Sequence, residues 1–217
     1  MYRISVTTLL MVITFVGVST GQINSDYSVT HDYLFPTRGN LMLTVATGVP
    51  YVGITEIGYG ISDRFTVSAI LGRTPTQMGY GFRIRGVIYD GSETIRVVAK
   101  MPSFYYPAPG KPGDEPWALV WPSVHIERQF RSGSRVSVGL GIVGAGCVSA
   151  MLGKHVDQDG FMGGTWNTVS AGLAIPVSGV LSVRVDVSAV MDGLQLAGSD
   201  WIGGPPVILN VGVARTF

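Results

Sequence analysis

The chain has 217 residues, of which 13% are charged and 46% are hydrophobic, and its formal net charge is +1. A charge this close to zero gives no reason to expect a nucleic-acid partner. The single cysteine excludes a disulfide framework and a four-cysteine zinc site, and the three histidines lie far apart in the sequence. We therefore predict no metal and no cofactor.

The first 21 residues have the parts of a secretory signal peptide. Arg3 is followed by an apolar run over 4–18 and then by the small or polar residues Ser19, Thr20 and Gly21. The alternative, a membrane anchor, requires a longer apolar run. The sequence thus predicts a signal peptide over 1–21 and an N-terminal tail or periplasmic segment over 22–38.

From residue 39 to 217 the sequence alternates between apolar and polar residues in short runs. A period of two places one set of side chains on each face of a β-strand. Beyond the first twenty residues no uncharged apolar run reaches about 18 residues, which excludes a helical membrane protein as the main interpretation. Ten strands are predicted, over 40–47, 51–60, 65–73, 78–89, 93–104, 117–130, 135–148, 164–176, 181–192 and 206–217.

The connections between these strands differ systematically in length. Short turns follow the second, fourth, sixth and eighth strands, and the pair Asp90-Gly91 is a strong hairpin signal. The longest loops follow the fifth, seventh and ninth strands. Transmembrane barrels have short turns on one side, longer loops on the other and usually an even number of strands. If the first two predicted strands, whose pattern is weak, are left out, the number of strands is eight, which is the alternative.

The last predicted strand reads PVILNVGVARTF, with Val211 and Val213 in register with the final aromatic residue, Phe217. A tilted strand of about 10 residues can cross a bilayer. This stretch resembles the C-terminal strand of bacterial outer-membrane β-barrel proteins, in which a final Phe belongs to the signal read by the barrel-assembly machinery.

The resemblance implies an all-β fold, namely a closed up-and-down antiparallel transmembrane barrel over 39–217. It also implies a place in outer-membrane lipid, with Val211, Val213 and Phe217 as the assembly signal. With Phe217 in the periplasm, all four short turns lie on the periplasmic side. A soluble secreted β-sandwich, which also alternates, is the other fold that the pattern allows.

Aromatic residues cluster at the ends of the predicted strands. Amphipathic rings at both membrane interfaces would form two belts around an apolar band. The predicted girdle consists of Tyr59, Phe65, Tyr89 and Phe130 at the periplasmic side and Trp117, Trp166 and Trp201 at the outer side.

Charged residues recur on the faces assigned to the lumen. They are Glu56, Arg83, Arg85, Arg96, Lys100, His125, Glu127, Arg184 and Asp186. A barrel of about eight strands is just wide enough for side chains to fill it, and buried charges are costly unless they pair. We expect an interior ion-pair network; a narrow polar pore is the alternative.

Catalytic and metal-binding patterns are incomplete. His125 and Glu127 share a strand face, but no serine stands two residues after His125, where the lipid A deacylase barrels would place it. The acidic loop 154–160 lacks the later ligands of a calcium loop and the second acidic pair of an omptin-type protease. Cys147 is interpreted as a packed small residue.

We therefore predict a non-enzymatic envelope protein with a structural, adhesive or interaction role and a largely packed lumen. The alternative is a porin-like channel for small polar solutes or ions. An outer-membrane enzyme ranks third.

Overall fold

All strands that the structure describes belong to one antiparallel sheet that closes on itself. The computed structural model describes residues 36–49, 51–75, 77–91, 94–107, 116–147, 163–196 and 207–217. Its strands are β1 (Leu41–Val49), β2 (Gly53–Ser62), β3 (Phe65–Arg73), β4 (Met78–Asp90), β5 (Ile95–Tyr106), β6 (Trp117–Val120), β7 (Ser123–Gln129), β8 (Arg135–Cys147), β9 (Gly163–Pro176), β10 (Leu181–Asp192), β11 (Gln195–Leu196) and β12 (Val207–Thr216). The predicted signal peptide lies outside the described residues, as does the predicted tail up to residue 35.

Pairing between the first and last strands closes the sheet. Met42 lies opposite Thr216 and Val49 opposite Leu209, so that β1 and β12 pair over most of their length. The other strands of the wall follow chain order, except that β6 and β7 both pair with β5 and β8 and that β12 pairs with β10 instead of β11. The predicted antiparallel barrel is confirmed, and the β-sandwich is excluded because one sheet contains every described strand.

The wall has ten strands, because β6 and β7 are two pieces of one strand and β11 only extends the edge of β10. Ser103 pairs with Val120 on β6 and Lys100 with Ser123 on β7, so the register against β5 does not shift. The interruption falls at Pro122, which has no N–H to donate to the ladder. The prediction of one unbroken strand over 117–130 was wrong at this proline, whereas the count of ten is confirmed.

The two ends of the barrel differ in their connections. At one end, here called the turn end, two to five residues separate β2 from β3, β4 from β5, β7 from β8 and β9 from β10, and Leu41 and Phe217 lie there as well. At the opposite end, the loop end, β5, β8 and β11 end and β6, β9 and β12 begin, with residues 107–116, 148–162 and 197–206 between them in the sequence. The predicted asymmetry of the connections is confirmed. In the described part of the chain no helix is long and apolar enough to cross a membrane.

Burial alternates along the strands and separates an apolar outer face from a mixed interior. On β3, Thr66, Ser68, Ile70 and Gly72 are buried, whereas Leu71 between them is exposed. The outward set is apolar around the wall and includes Val45, Ile57, Leu71, Phe82, Ile126, Val138, Leu140, Ile142 and Val169. This is the pattern of a barrel whose outer face contacts hydrocarbon.

A short segment before β1 enters the barrel at the turn end. Pro36 is fully buried, and Arg38 forms a parallel bridge with Gly60 on β2. Gly39 N–H donates to the carbonyl of Gly60 at 2.8 Å, and Gly60 N–H donates to the carbonyl of Asn40 at 3.1 Å. A Cβ at Gly60 would lie 2.1 Å from the carbonyl oxygen of Thr37, so only glycine allows this approach.

Candidate functional site in the barrel interior

Glu127 is the centre of an ion-pair cluster in the lumen. The alternation of β7 points Glu127 inward, and its side chain is only 3% exposed. Three cations from three other strands contact it: Arg85 Nη2 at 3.1 Å, Lys100 Nζ at 3.0 Å and Arg135 Nη1 at 3.3 Å. The cluster therefore joins β4, β5, β7 and β8 across the interior.

A second ion pair lies beside this cluster, and a third lies at the rim. Arg83 Nη1 is 2.6 Å from Glu56 Oε2, and the Glu56 side chain is 5% exposed. Arg96 Nε is 2.9 Å from Asp90 Oδ1 at the turn end, where both side chains are partly exposed. Arg96 therefore stands at the edge of the predicted network.

Arg135 and Gln129 belong to the network but were absent from the sequence-based set. Arg135 Nη2 donates to Gln129 Oε1 at 3.0 Å, in addition to the contact with Glu127. The strand pattern contained the signal, since Arg135 has the same parity as the inward residue Ser137. The strand pattern could not show that Arg135, which lies next to a turn, contacts Glu127 and Gln129.

A polar chamber of about 180 Å³ lies beside the network, along the wall formed by β8, β9, β10 and β12. Its polar lining combines charged side chains with His125, Asn210 and four serines, and the charged ones are Arg83, Lys100, Glu127, Arg135, Arg184 and Asp186. Asp186 is exposed although its strand position points inward, so the chamber is accessible to solvent. Arg184 Nη2 lies 3.2 Å from Met42 Sδ. Arg184 and Asp186 thus both face the chamber.

His125 lies on the chamber wall against a glycine. A Cβ at its cross-strand partner Gly139 would lie only 2.4 Å from His125 Nδ1, so the missing side chain makes room for the imidazole. His125 Nε2 is 3.1 Å from Ser123 Oγ. Among the described residues Nδ1 has no hydrogen-bond partner, so no carboxylate orients the ring as in a catalytic triad.

An apolar cluster fills the lumen on the loop-end side of the chamber. Its buried core is Ile70, Phe104, Leu119, Val143, Ala145 and Val190, and Ile54, Tyr106, Trp121 and Trp166 pack against it. Trp121 Nε1 donates to Thr168 Oγ1 at 2.8 Å. Because Trp121 also lines the chamber, this contact marks the boundary between polar chamber and apolar cluster. This apolar cluster was not among the features predicted from the sequence.

Tyr51 covers the apolar cluster from the connection between β1 and β2. Its ring stacks on Phe104 at a centroid distance of 5.6 Å, and its hydroxyl is 2.7 Å from that of Tyr106. Burial raises the pKa of the Tyr51 phenol above its ordinary value, partly opposed by the hydrogen bond with Tyr106. The hydroxyl therefore keeps its proton near neutral pH, and the Tyr51–Tyr106 hydrogen bond is retained.

The aromatic rings at the turn end lie where the girdle was predicted, whereas those at the loop end do not. At the turn end the exposed rings are Tyr59, Phe65, Tyr89, Phe130 and Phe217. At the loop end, the outward placement of Trp117 and Trp166 was wrong. Trp166 packs against the interior cluster, and the alternation of β6 places Trp117 on the same inward face as buried Leu119. Exposed Tyr80, whose ring lies 5.2 Å from that of Tyr105, occupies the outer face there instead; Trp201 lies outside the described residues.

The predicted assembly-signal residues lie at the closure of the barrel. Val211 and Val213 pair with β1 on one side and β10 on the other. Phe217 N–H donates to the carbonyl of Leu41 at 2.8 Å, and Leu41 N–H donates back at 3.3 Å. β12 therefore closes the barrel, because it pairs with β1 on one side and with β10 on the other.

In the described part of the chain no group of three or more His, Cys, Asp or Glu residues could hold a metal ion. The acidic loop 154–160 lies outside that part. Cys147 is buried and forms no disulfide within the described part of the chain.

Comparisons with known proteins give a likeness of fold without a family assignment. No protein-family model matches the chain, and the search of curated proteins gave no significant match. Three solved structures align with most of it. The N-terminal β-barrel domain of Pseudomonas aeruginosa OprF is 13% identical, with a TM-score of 0.33, over 82% of this chain and 96% of that one.

The other two structures are a porin and an outer membrane protein. The KdgM porin is 11% identical with a TM-score of 0.34, over 82% of this chain and 99% of that one. The outer membrane protein OprG from Pseudomonas aeruginosa is 11% identical with a TM-score of 0.33, over 84% and 98%. These likenesses assign neither a family nor a function to this chain.

Proposed function

We propose that this protein spans the bacterial outer membrane as a barrel whose lumen is closed to solute flow, and that it serves a structural or interaction role in the cell envelope. The turn end faces the periplasm and the loop end faces outward. The barrel-assembly machinery recognises β12 through Val211, Val213 and Phe217.

The apolar cluster at the loop end is the observation that carries this proposal. Val143 and Val190 are fully buried, and Phe104 is 8% exposed, although all three side chains point into the lumen. Ions and small polar solutes would have to displace this packed layer, because protein interiors at native density leave few voids larger than a water molecule.

The outer face supports the membrane location. Between the two ends most outward side chains of the described strands are apolar, with Thr47, Thr55 and Asn167 as exceptions, and the outward cations lie at the ends. At the turn end Arg215 lies over the Phe217 ring at 4.9 Å and Arg128 over the Phe130 ring at 5.4 Å. An aromatic ring beside a cation suits the interface, where the ring contacts acyl chains and the cation reaches the headgroups.

A porin-like channel is the second candidate, and the polar chamber favours it. Charged side chains lining a water-accessible space can tune ion selectivity. For conduction, however, the loop-end cluster would have to move. An enzymatic role is not proposed, because Glu127 is engaged by three cations and Nδ1 of His125 has no carboxylate partner among the described residues.

Ion flux through proteoliposomes tests the proposal. The full mature chain is refolded into liposomes, and folding is verified by heat-modifiable migration on an unboiled gel. We expect potassium efflux at the rate of protein-free liposomes. Efflux that rises in proportion to the amount of folded barrel would contradict a closed lumen and favour the channel.

A further inference from the structure

Two arginines on the outer face of the barrel each lie beside a phenylalanine at the turn end. Arg128 Cζ is 5.4 Å from the centroid of the Phe130 ring, and Arg215 Cζ is 4.9 Å from that of Phe217. In both cases the phenylalanine follows the arginine by two positions. The strands that carry them, β7 and β12, are not neighbours in the wall, so the same arrangement occurs at two separate places.

Apolar side chains flank both arginines on the outer face. Each arginine lies opposite one apolar residue on each of the two neighbouring strands. These residues are Ile95 and Val136 for Arg128, and Leu43 and Leu181 for Arg215. Each guanidinium is therefore surrounded by hydrocarbon within the wall and has an aromatic ring on the side of the turn end.

Both guanidinium groups are available to an acceptor. Both side chains are exposed, and within the described part of the chain neither guanidinium forms an ion pair or donates a hydrogen bond. Attraction between a cation and an aromatic ring does not use up the N–H donors. These donors match the oxygen atoms of a phosphate group, which a guanidinium binds through two parallel hydrogen bonds.

The charge of the outer face favours one type of phospholipid headgroup. Apart from the rim pair of Arg96 and Asp90, the charged side chains at outward positions of the described strands are Arg73, Arg128 and Arg215. These outward strand positions therefore offer no carboxylate to the ammonium group of a zwitterionic headgroup. A headgroup with a net negative charge is bound more strongly, because its phosphate is not neutralised by a cation of its own.

We propose that these two sites bind anionic phospholipid. The phosphodiester accepts hydrogen bonds from the guanidinium of Arg128 or Arg215, and the acyl chains lie along the apolar side chains beside it. This inference rests on the proposed function, because it requires the turn end to lie at a membrane interface. It adds that the barrel selects anionic over zwitterionic lipids in the leaflet at that end.

Titration of short-chain phospholipids into the isotope-labelled barrel tests both sites. The full mature chain is refolded in non-ionic maltoside micelles, and the readout is the NMR shift of the Phe130 and Phe217 amides. We expect saturable shifts of both amides with dihexanoyl phosphatidylglycerol. Dihexanoyl phosphatidylcholine has no net charge and glycerol phosphate has no acyl chains, so neither should give a saturable shift.

Single substitutions separate the two sites. R215Q should weaken binding at Phe217 about tenfold, the effect of losing a charged hydrogen bond, and leave binding at Phe130 unchanged. R128Q should do the reverse. The matched control is R73Q, which removes an exposed outward arginine at the loop end and should change neither site. If one variant does not fold, the other still tests its own site.

The outcomes distinguish this inference from the proposed function. In a barrel with heat-modifiable migration, the inference is overturned by the absence of saturable shifts with phosphatidylglycerol. Equal shifts with phosphatidylcholine or glycerol phosphate overturn it too, as do identical titrations of R215Q, R128Q and R73Q. All of these leave the proposed function intact. A chain that stays soluble without detergent and shows no heat-modifiable migration would contradict the proposed function, and the inference with it.

Discussion

Glu127 is a buried carboxylate on which cations from β4, β5 and β8 converge. Ion pairs of this kind do not in themselves guarantee stability, because desolvation of the charges offsets much of their attraction. Removing the shared partner is a different matter. Arg85 and Arg135, which are 3% and 5% exposed, would then remain buried with less compensation.

The E127Q substitution should lower the free energy of unfolding by about 3–5 kcal/mol, the cost of breaking a buried pair from one side. Urea unfolding of the barrel in detergent micelles measures it. The control is D90N, which breaks the partly exposed rim pair with Arg96 and should cost about 0–1 kcal/mol. A loss in E127Q no larger than that in D90N would show that the cluster does not stabilise the barrel.

Strand parity made much of the interior charge pattern predictable. Glu56, Arg85 and Glu127 were assigned inward because their apolar neighbours alternate outward, and the structure places them so. Parity does not state which charges meet, because the partners come from strands far apart in sequence. Nor did strand parity distinguish Trp166, whose inward side chain packs against the apolar cluster, from an aromatic residue at the membrane interface.

At the scale of elements, the segment before β1 depends on two glycines of β2. Gly58 and Gly60 face inward, and Pro36 lies beside Gly58. The hydrogen bonds of Gly39 and Asn40 with Gly60 hold the segment in the barrel mouth at the turn end. Composition alone could not predict the packing of this segment, because residues 36–38 have the composition of a polar tail.

A methyl group at Gly60 should release this segment. In G60A the new Cβ would overlap the backbone of Pro36 and Thr37, so hydrogen exchange of the Gly39 amide should become faster. The control is G53A on the same strand, where nothing lies within 4 Å of the added Cβ. Unchanged exchange in a G60A barrel that still shows heat-modifiable migration would contradict the packing described for this segment.

The strands themselves were largely predictable, since a period of two and short turns recur along the chain. The exception is the strand over 117–130, where Pro122 interrupts the ladder while Trp121 N–H still donates to Pro102 at 2.9 Å. A proline is visible in the sequence, but whether it shifts the register is not. Here the neighbouring strands keep the register on both sides.

For the whole molecule, the interior divides into two layers. Charged residues and the polar chamber occupy one part of the interior, and the apolar cluster lies on the loop-end side of the chamber. The expectation of a largely packed lumen was based on barrel width and on charges that pair. Apolar packing between inward residues of seven strands was not foreseen, because isolated apolar residues on the lumen face carry little signal in any single strand.

Single-channel recording in planar bilayers tests the closed lumen most directly. The wild-type barrel should give no discrete conductance steps, as should F82A, which trims a half-exposed ring on the outer face. The double variant F104A/Y106A removes two rings that lie 6.3 Å apart in the loop-end cluster and should give regular steps. Regular steps from the folded wild-type protein, equal to those of the double variant, would contradict the account.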